Sequence, residues 1–352
     1  MFLAINEMKK EKLRYGLVIG VILLISYLIF ILSALAAGLS NQNTAAVISW
    51  DSQSVVMSKD ANGNLAQSLV KKQDLPGDSD KQKNTDLVGL AQGIVKNDKD
   101  RQSATYVGTK GQSTIKKQID ITSGRNYSAQ NEVVLSNKLE QQGFKLGQKV
   151  QMGLSDNEYT VVGFAKNAVY NMAPVVYGSQ DNWADIKGVG NQFVGSGLVS
   201  QKQLENKNDN LQAYNRQELF NKMPGYSAQN QTFKFMIGFL IVISVVIVAI
   251  FLYILTVQKL ENLAVLRAQG IPTSYLIKNT LGQTIIMMVA AVVLGATLAA
   301  LTALGIPASA PILFDSKLMV VTGIALVVTG IVGAIIPMRI IAKIDPVSVI
   351  GG

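Results

Sequence analysis

Cysteine and histidine are both absent from the 352 residues. Without cysteine there is no disulfide framework, and without either residue no zinc site or Cys/His catalytic site can form. Charge is sparse as well: 16% of residues are charged and 49% are hydrophobic, whereas a soluble globular chain is about a quarter charged. A phosphate-gripping loop is missing too. Gly108-Thr109-Lys110-Gly111 is the nearest lookalike and lacks the glycine–lysine spacing that cradles a nucleotide. These absences exclude Cys/His catalysis, a zinc site and a nucleotide fold, and the sparse charge directs attention to the membrane.

What the chain has instead is four long charge-free stretches, Tyr15–Trp50, Phe235–Gln258, Asn279–Phe314 and Leu318–Met338. A run of about 18 or more apolar residues predicts a membrane-crossing helix, because hydrocarbon cannot satisfy a free backbone amide. The stretches are unevenly placed, with residues 51–234 separating the first from the second. The layout reads as one helix (near 17–39), a large water-facing domain, then three helices near 235–257, 281–304 and 318–337. No Asp, Glu, Lys or Arg lies within these spans, so no ion or proton relay is expected inside the bilayer. A chain of this design, without inverted repeats, must take its energy from a partner.

The net charge of +9 would suggest nucleic acid in a soluble protein, but here the bases gather at the ends of spans. Lys9, Lys10, Lys12 and Arg14 precede the first, Lys259, Arg267 and Lys278 separate the second from the third, and Arg339 and Lys343 follow the fourth. The connection between the last two spans carries Lys317 alone as a base. This asymmetry predicts cytoplasmic termini, a cytoplasmic 258–280 connection and an external domain over 40–230. No nucleic-acid partner is expected. Residues 1–13 read as an amphipathic helix on the inner leaflet, with Phe2, Leu3 and Ile5 on one side. The first apolar run is too long for a removable signal peptide, so it reads as a permanent anchor.

The external domain reads as α+β. A strand is expected at Val55–Met57, and part of the polar stretch 59–103 is expected to be mobile, with turns at Asn62-Gly63 and Pro76-Gly77. Strands resume from Thr105 and at Glu132–Leu135. A helix over Ser136–Gln142 follows, with Ser136 as its cap and Gly143 as its stop. A hairpin pairs Lys149–Leu154 with Glu158–Phe164 after the turn Lys145-Leu146-Gly147-Gln148. Pro174–Tyr177 predicts a strand, and Gln180–Ile186 and Gln217–Met223 predict helices. In the last two spans Gly282, Gly295, Gly323, Gly330 and Gly333 suggest close helix–helix contact.

The cytoplasmic segment Gln258–Lys278 places Leu260, Leu263 and Leu266, with Ala264, at helical spacing. Glu261 and Arg267 are free to face elsewhere. Gly270 would end this helix and Pro272 would open the next at its first position. One reading is a membrane-surface connector. The sharper one is a short helix seated in a groove of a cytoplasmic ATPase.

With Val265-Leu266-Arg267-Ala268-Gln269-Gly270 and the ending Pro337–Ile350, which contains an arginine, a lysine and Asp345-Pro346-Val347, the chain resembles the FtsX/MacB-type permeases of ABC transporters. Ile121–Val162, with Ser123-Gly124-Arg125, resembles the MacB-like extracellular domain, and the order of spans is that family's too. The resemblance implies a membrane α-helical fold with four spans and an inserted α+β domain over 40–230. It implies an FtsX-like permease region over 231–352 and a coupling helix at 259–270. It marks Glu261, Leu263, Leu266, Arg267 and Gly270 as ATPase-coupling residues. It also implies a permease homodimer bound to two ATPase subunits, with ATP acting through the partner and no permanently bound cofactor.

Within that family the opening residues 1–39, with Trp50 and Ser58–Asn62, resemble haem-export permeases most, which makes haem the expected substrate. Haem iron needs an axial ligand, and with His and Cys absent, Tyr, Met, a carboxylate or lysine remain. Tyr170, Met172, Met223, Tyr226 and Met236 are the candidates, Tyr226 and Tyr170 foremost, with Tyr177 nearby in sequence and Tyr27 inside the first span. Lys166 or Lys222 could meet the propionates. Each has an ordinary reading beside this one: tyrosine anchors helices at interfaces and methionine fills cores. Two alternatives to haem export stand: relay of ATPase motion to external cell-wall hydrolases, and export of peptides or antibiotics.

Overall fold

A computed structural model describes residues 7–75, 84–204, 208–307 and 310–344. The chain divides into two compact units, Met1–Gly38 with Gln231–Gly352, and Leu39–Asn230.

The first unit is helical. Helix α1 runs Lys12–Ser49, and its 38 residues extend about 57 Å at ~1.5 Å per residue. The expected span ended near Leu39, but the helix continues into the second unit. The Ser-Asn-Gln-Asn-Thr stretch that reads as loop is accommodated because Asn43 Nδ2 and Thr44 Oγ1 donate to the Leu39 and Ser40 carbonyls one turn back, each at 2.9 Å.

The second unit is α+β. Its elements in chain order are β1 (Ser54–Ser58), β2 (Val70–Lys71), β3 (Thr85–Lys96), β4 (Arg101–Thr109), α2 (Thr114–Lys117), β5 (Ile121–Gly124), β6 (Glu132–Ser136) and α3 (Asn137–Gln141). They continue with β7 (Lys149–Met152), β8 (Tyr159–Ala165), β9 (Val169–Tyr170), β10 (Ala173–Ser179), α4 (Trp183–Lys187), β11 (Phe193–Gly195), β12 (Gly197–Ser200), β13 (Leu211–Asn215) and α5 (Arg216–Lys222). One mixed sheet runs β13-β1-β12-β3-β4-β10-β6-β8-β5, with β7 pairing both β3 and β8 and β9 pairing β10. Its backbone is the β3–β4 hairpin, which pairs from Val88↔Thr109 to Lys96↔Arg101. The polar stretch 59–103, expected to be partly mobile, thus holds the longest strand of the sheet. Glycine and glutamine interrupt its apolar pattern, so pairing rather than composition decides the conformation. Pro76-Gly77 lies outside the described residues.

The two tryptophans of the chain pin this unit. Trp50 Nε1 donates to Tyr177 Oη at 3.2 Å, and Trp183 Nε1 donates to the Leu90 carbonyl at 3.0 Å. Both indoles are fully buried, and Gly89 makes room for Trp183, since a Cβ there would lie 2.3 Å from Trp183 Cγ. The expected cap holds: Ser136 Oγ accepts from the Lys138 amide, and Gly143 takes φ +105. The Ser123-Gly124-Arg125 motif has a structural role. Arg125 forks onto the Glu132 carboxylate, which also accepts the Ser128 and Ala129 amides at 2.8 and 3.2 Å.

The remaining helices are α6 (Tyr226–Gln258), α7 (Leu260–Ala268), α8 (Thr273–Gly305), α9 (Ser316–Gly333) and α10 (Ile335–Ala342). Among the described residues, four helical stretches are long and apolar enough to cross a membrane: α1, α6, α8, and α9 with α10 together. The regular helix of the fourth is interrupted at Ala334, where Pro337 has no N–H for the Gly333 carbonyl. Pro272 caps α8 from the N-cap position, one residue earlier than expected. Small residues do bring helices together. A Cβ on Gly295 would stand 3.1 Å from Ser26 Cβ, and one on Gly333 would stand 3.0 Å from the Val245 carbonyl oxygen, whereas Gly282 faces open space. On α6, Phe235, Phe239, Val242, Val246, Ile250 and Tyr253 are exposed at three- and four-residue intervals, an apolar outer face suited to hydrocarbon.

Candidate substrate and coupling sites

In the α+β unit, β9 and β10 pair with Tyr170 opposite Ala173, leaving Asn171-Met172 as a two-residue turn. Both residues have positive φ, 46° and 67°, the mirror-image geometry that matches the twist of a hairpin. Asparagine tolerates this conformation; methionine does so at a cost of about 1–2 kcal/mol. The turn is held because the Asn171 and Met172 amides donate to the Asn43 and Gln42 carbonyls of α1, each at 3.0 Å. Met172 is left 50% exposed, an apolar thioether on a strained turn.

The other candidates divide. Tyr170 is only 2% exposed and belongs to the core cluster that also holds Met223 and Tyr226. Burial raises its phenol pKa well above the ordinary value, which opposes the phenolate an iron ligand requires. Tyr226 is 8% exposed. Its hydroxyl shares a hydrogen bond with Ser40 Oγ at 3.2 Å, and its ring tilts against Phe220 with centroids 5.9 Å apart. Met223 caps the end of α5, and its carbonyl accepts the Tyr226 amide. Met236 belongs to the helical unit, where it is partly exposed. Tyr177 serves Trp50, with its phenol pushed up to about 12 mainly by burial. Tyr27 bonds Thr302 Oγ1 at 3.1 Å. Of the two lysines, Lys166 pairs with Asp120 at 3.1 Å and Lys222 donates to Asn62 Oδ1 at 3.0 Å. The strained Met172 turn was not legible in the sequence. Asn171 carries half of a hairpin signal, but methionine at the second place argues against one.

In the helical unit, α7 forms where expected, and Gly270 follows it at φ +90. Its apolar stripe faces inward: Leu260, Leu263, Ala264 and Leu266 pack with Leu276, Ile277, Ile341 and Ile344. Leu263 and Leu266, each partly buried in this cluster, therefore anchor the helix to its own chain. Arg267 is also engaged, through a short hydrogen bond to Thr273 Oγ1. The face left outward is Glu261, Asn262, Val265, Ala268 and Gln269, with Tyr275 beyond it. Asp345-Pro346-Val347 lies outside the described residues.

Four spans without internal charge, an inserted α+β unit and an outward short helix at a loop define a membrane subunit of a transport machine. The profile of the MacB-like periplasmic core domain matches residues 15–206, and that of the FtsX-like permease C-terminal region matches 234–346. The chain belongs to the FtsX/MacB-type permeases of ABC transporters. Among curated proteins it is 25% identical over 355 residues to a Staphylococcus epidermidis protein named, provisionally, hemin transport system permease protein HrtB, covering 100% of this chain and 99% of that one. A Staphylococcus haemolyticus protein of the same provisional name is 22% identical over 354 residues, with the same coverage. The crystallised periplasmic region of MacB from Actinobacillus actinomycetemcomitans aligns with 52% of this chain and 92% of itself, at 13% identity and a TM-score of 0.35, too loose a likeness to add to the family match.

Proposed function

We propose that the chain is the permease of a haem exporter, or of an exporter of a similar flat amphiphile, driven by two copies of a separate ATPase on a permease homodimer in the bacterial plasma membrane. The observation that carries this reading is full-length similarity to relatives named for hemin transport. The chemistry agrees with it. Haem is an apolar ring with two carboxylates, so it dissolves in a bilayer and can reach a permease sideways, and a pore lined with charge is not required. The termini and α7 face the cytoplasm, following the clustered Lys and Arg, and the α+β unit lies outside. ATP binding closes the partner and moves α7 through Glu261, Val265 and their neighbours. Gly270 lets the chain turn into α8. Such coupling needs ATP to bind two states of the assembly with different affinity.

For the iron, Met172 and Tyr226 are the residues best supplied to act. The Met172 thioether is exposed and neutral, and the Tyr226 hydroxyl is held by a single exchangeable partner, Ser40. Tyr170, Met223 and Met236 remain lesser candidates, Lys166 and Lys222 the propionate partners. Deleting the gene, with the partner ATPase intact, and titrating haemin against growth tests the proposal. Lowered tolerance is expected; unchanged tolerance refutes haem as the substrate.

A further inference from the structure

At the α6–α7 joint the helical unit contains a closed ring of polar side chains. Lys259 is the joint: α6 ends at Gln258, α7 starts at Leu260, and Lys259 occupies the N-cap without a side-chain bond of its own to α7. Its ammonium instead donates to Tyr15 Oη at 2.9 Å and to Glu7 Oε2 at 3.5 Å. Tyr15 Oη donates onward to Gln283 Oε1 at 3.2 Å, and Gln283 Nε2 donates back to Glu7 Oε2 through a short hydrogen bond. Glu11 adds a second carboxylate 3.9 Å from the ammonium, which also lies 5.3 Å from the centre of the Tyr15 ring. Tyr15 and Gln283 are buried and Lys259 is 17% exposed. A void of about 30 Å³ beside them has room for a water molecule.

Glu7 comes from the N-terminal segment, Tyr15 from α1, Lys259 from the joint and Gln283 from α8. A ring in which each donor finds an acceptor is stable as a whole, and losing one member strands polar groups away from water. Breaking any one link weakens the hold on the others, so the four segments are tied to one another.

We propose that this ring is a latch that fixes the α6–α7 joint to α1 and α8, so that displacement of α7 by the partner ATPase moves these helices together. Lys259, Glu7, Tyr15 and Gln283 are positioning residues for coupling rather than substrate contacts. The proposal rests on the exporter reading above and deepens it.

The test uses the full chain with its ATPase in proteoliposomes, with haemin as the probe. Lys259→Met keeps the apolar stem and removes the ammonium. It should raise the ATP hydrolysed per haemin moved by about fivefold, the low end of a typical coupling between sites. Without nucleotide, it should also speed tryptic cleavage at Lys9 and Lys10, because the N-terminal segment is released. The exchange Glu7→Lys with Lys259→Glu should restore part of both. Should Lys259→Met fail to assemble, Tyr15→Phe decides, since it breaks two links of the ring while leaving its shape, and the same two changes are expected at smaller size. An unchanged ATP-to-haemin ratio overturns the latch even if cleavage rises, because the ring would then only hold the fold. A wild-type complex that hydrolyses ATP but moves no haemin overturns the haem reading. The latch is then judged by whether stimulation of the ATPase by the chain falls in the variant, and unaltered stimulation overturns it.

Discussion

Met172→Gly separates what the hairpin turn does for stability from what it does for substrate. Met172 sits at φ +67, where a side chain costs about 1–2 kcal/mol and glycine pays no steric penalty. Glycine is more flexible in the unfolded chain, which returns about 0.5–1 kcal/mol. The side chain is half exposed, so little packing is lost. The net expectation is a gain of about 0–1.5 kcal/mol, or a rise of up to about 6 °C in Tm for a unit of this size. The assay comes with the sequence: both tryptophans, Trp50 and Trp183, are buried in the α+β unit, so tryptophan fluorescence of the full-length protein follows that unit alone. Met172→Ala, which keeps the strain, should show no such gain. Both variants should weaken haemin binding, read as a diminished Soret band. A drop of several degrees with glycine would refute the strained turn. A Soret band unchanged in both variants would refute Met172 as the iron's neighbour.

Further outcomes follow from the packing. Gly89→Ala drives a methyl group into the Trp183 indole, 2.3 Å from Cγ, and should destabilise the α+β unit by about 1–3 kcal/mol, seen as a lower fluorescence midpoint in urea. Val265→Asp, on the outward face of α7, should reduce stimulation of the ATPase while leaving the fluorescence midpoint unchanged, whereas Leu263→Ala should loosen the α7 anchorage itself, by about 2 kcal/mol or more. Glu132 has its pKa held far below the ordinary carboxylate value, by Arg125 first and then by the Ser128 amide. A depressed carboxylate contributes stability above its unfolded pKa and loses it as pH falls. The stability gap between wild type and Glu132→Gln should therefore be full at pH 7 and shrink steadily below about pH 4.5; a gap that stays constant under acid contradicts the pairing.

The membrane layout was legible because hydrocarbon imposes a rule on the sequence that needs no tertiary knowledge: span length and absence of charge. The caps and turns at Ser136, Gly143 and Gly270 were legible for a similar local reason, since each depends on its own side chain or lack of one. The β3–β4 hairpin was not, because its alternation is broken by Gly89, Gln92 and Gly93 and it is flanked by distant strands, β12 beside β3 and β10 beside β4. The helical continuation through Ser40–Ser49 was hidden by polar residues whose side chains bond back along the helix. At the candidate sites, periodicity correctly found the apolar stripe of α7 but could not say which way it faced. The hydrophobic face of an amphipathic helix meets its own chain before any partner, and here Leu276 and Ile341 occupy it. Tyr170 shows the same limit: sequence gives the residue type, while the burial that raises its pKa belongs to the fold.

The most direct measurement places the purified chain and its ATPase in proteoliposomes loaded with haemin and follows transfer of haemin to an external acceptor such as apomyoglobin. Transfer that requires ATP and both subunits, accompanied by haemin-stimulated hydrolysis, is the predicted result. Hydrolysis indifferent to haemin, with transfer at the same rate in protein-free vesicles, would contradict the account.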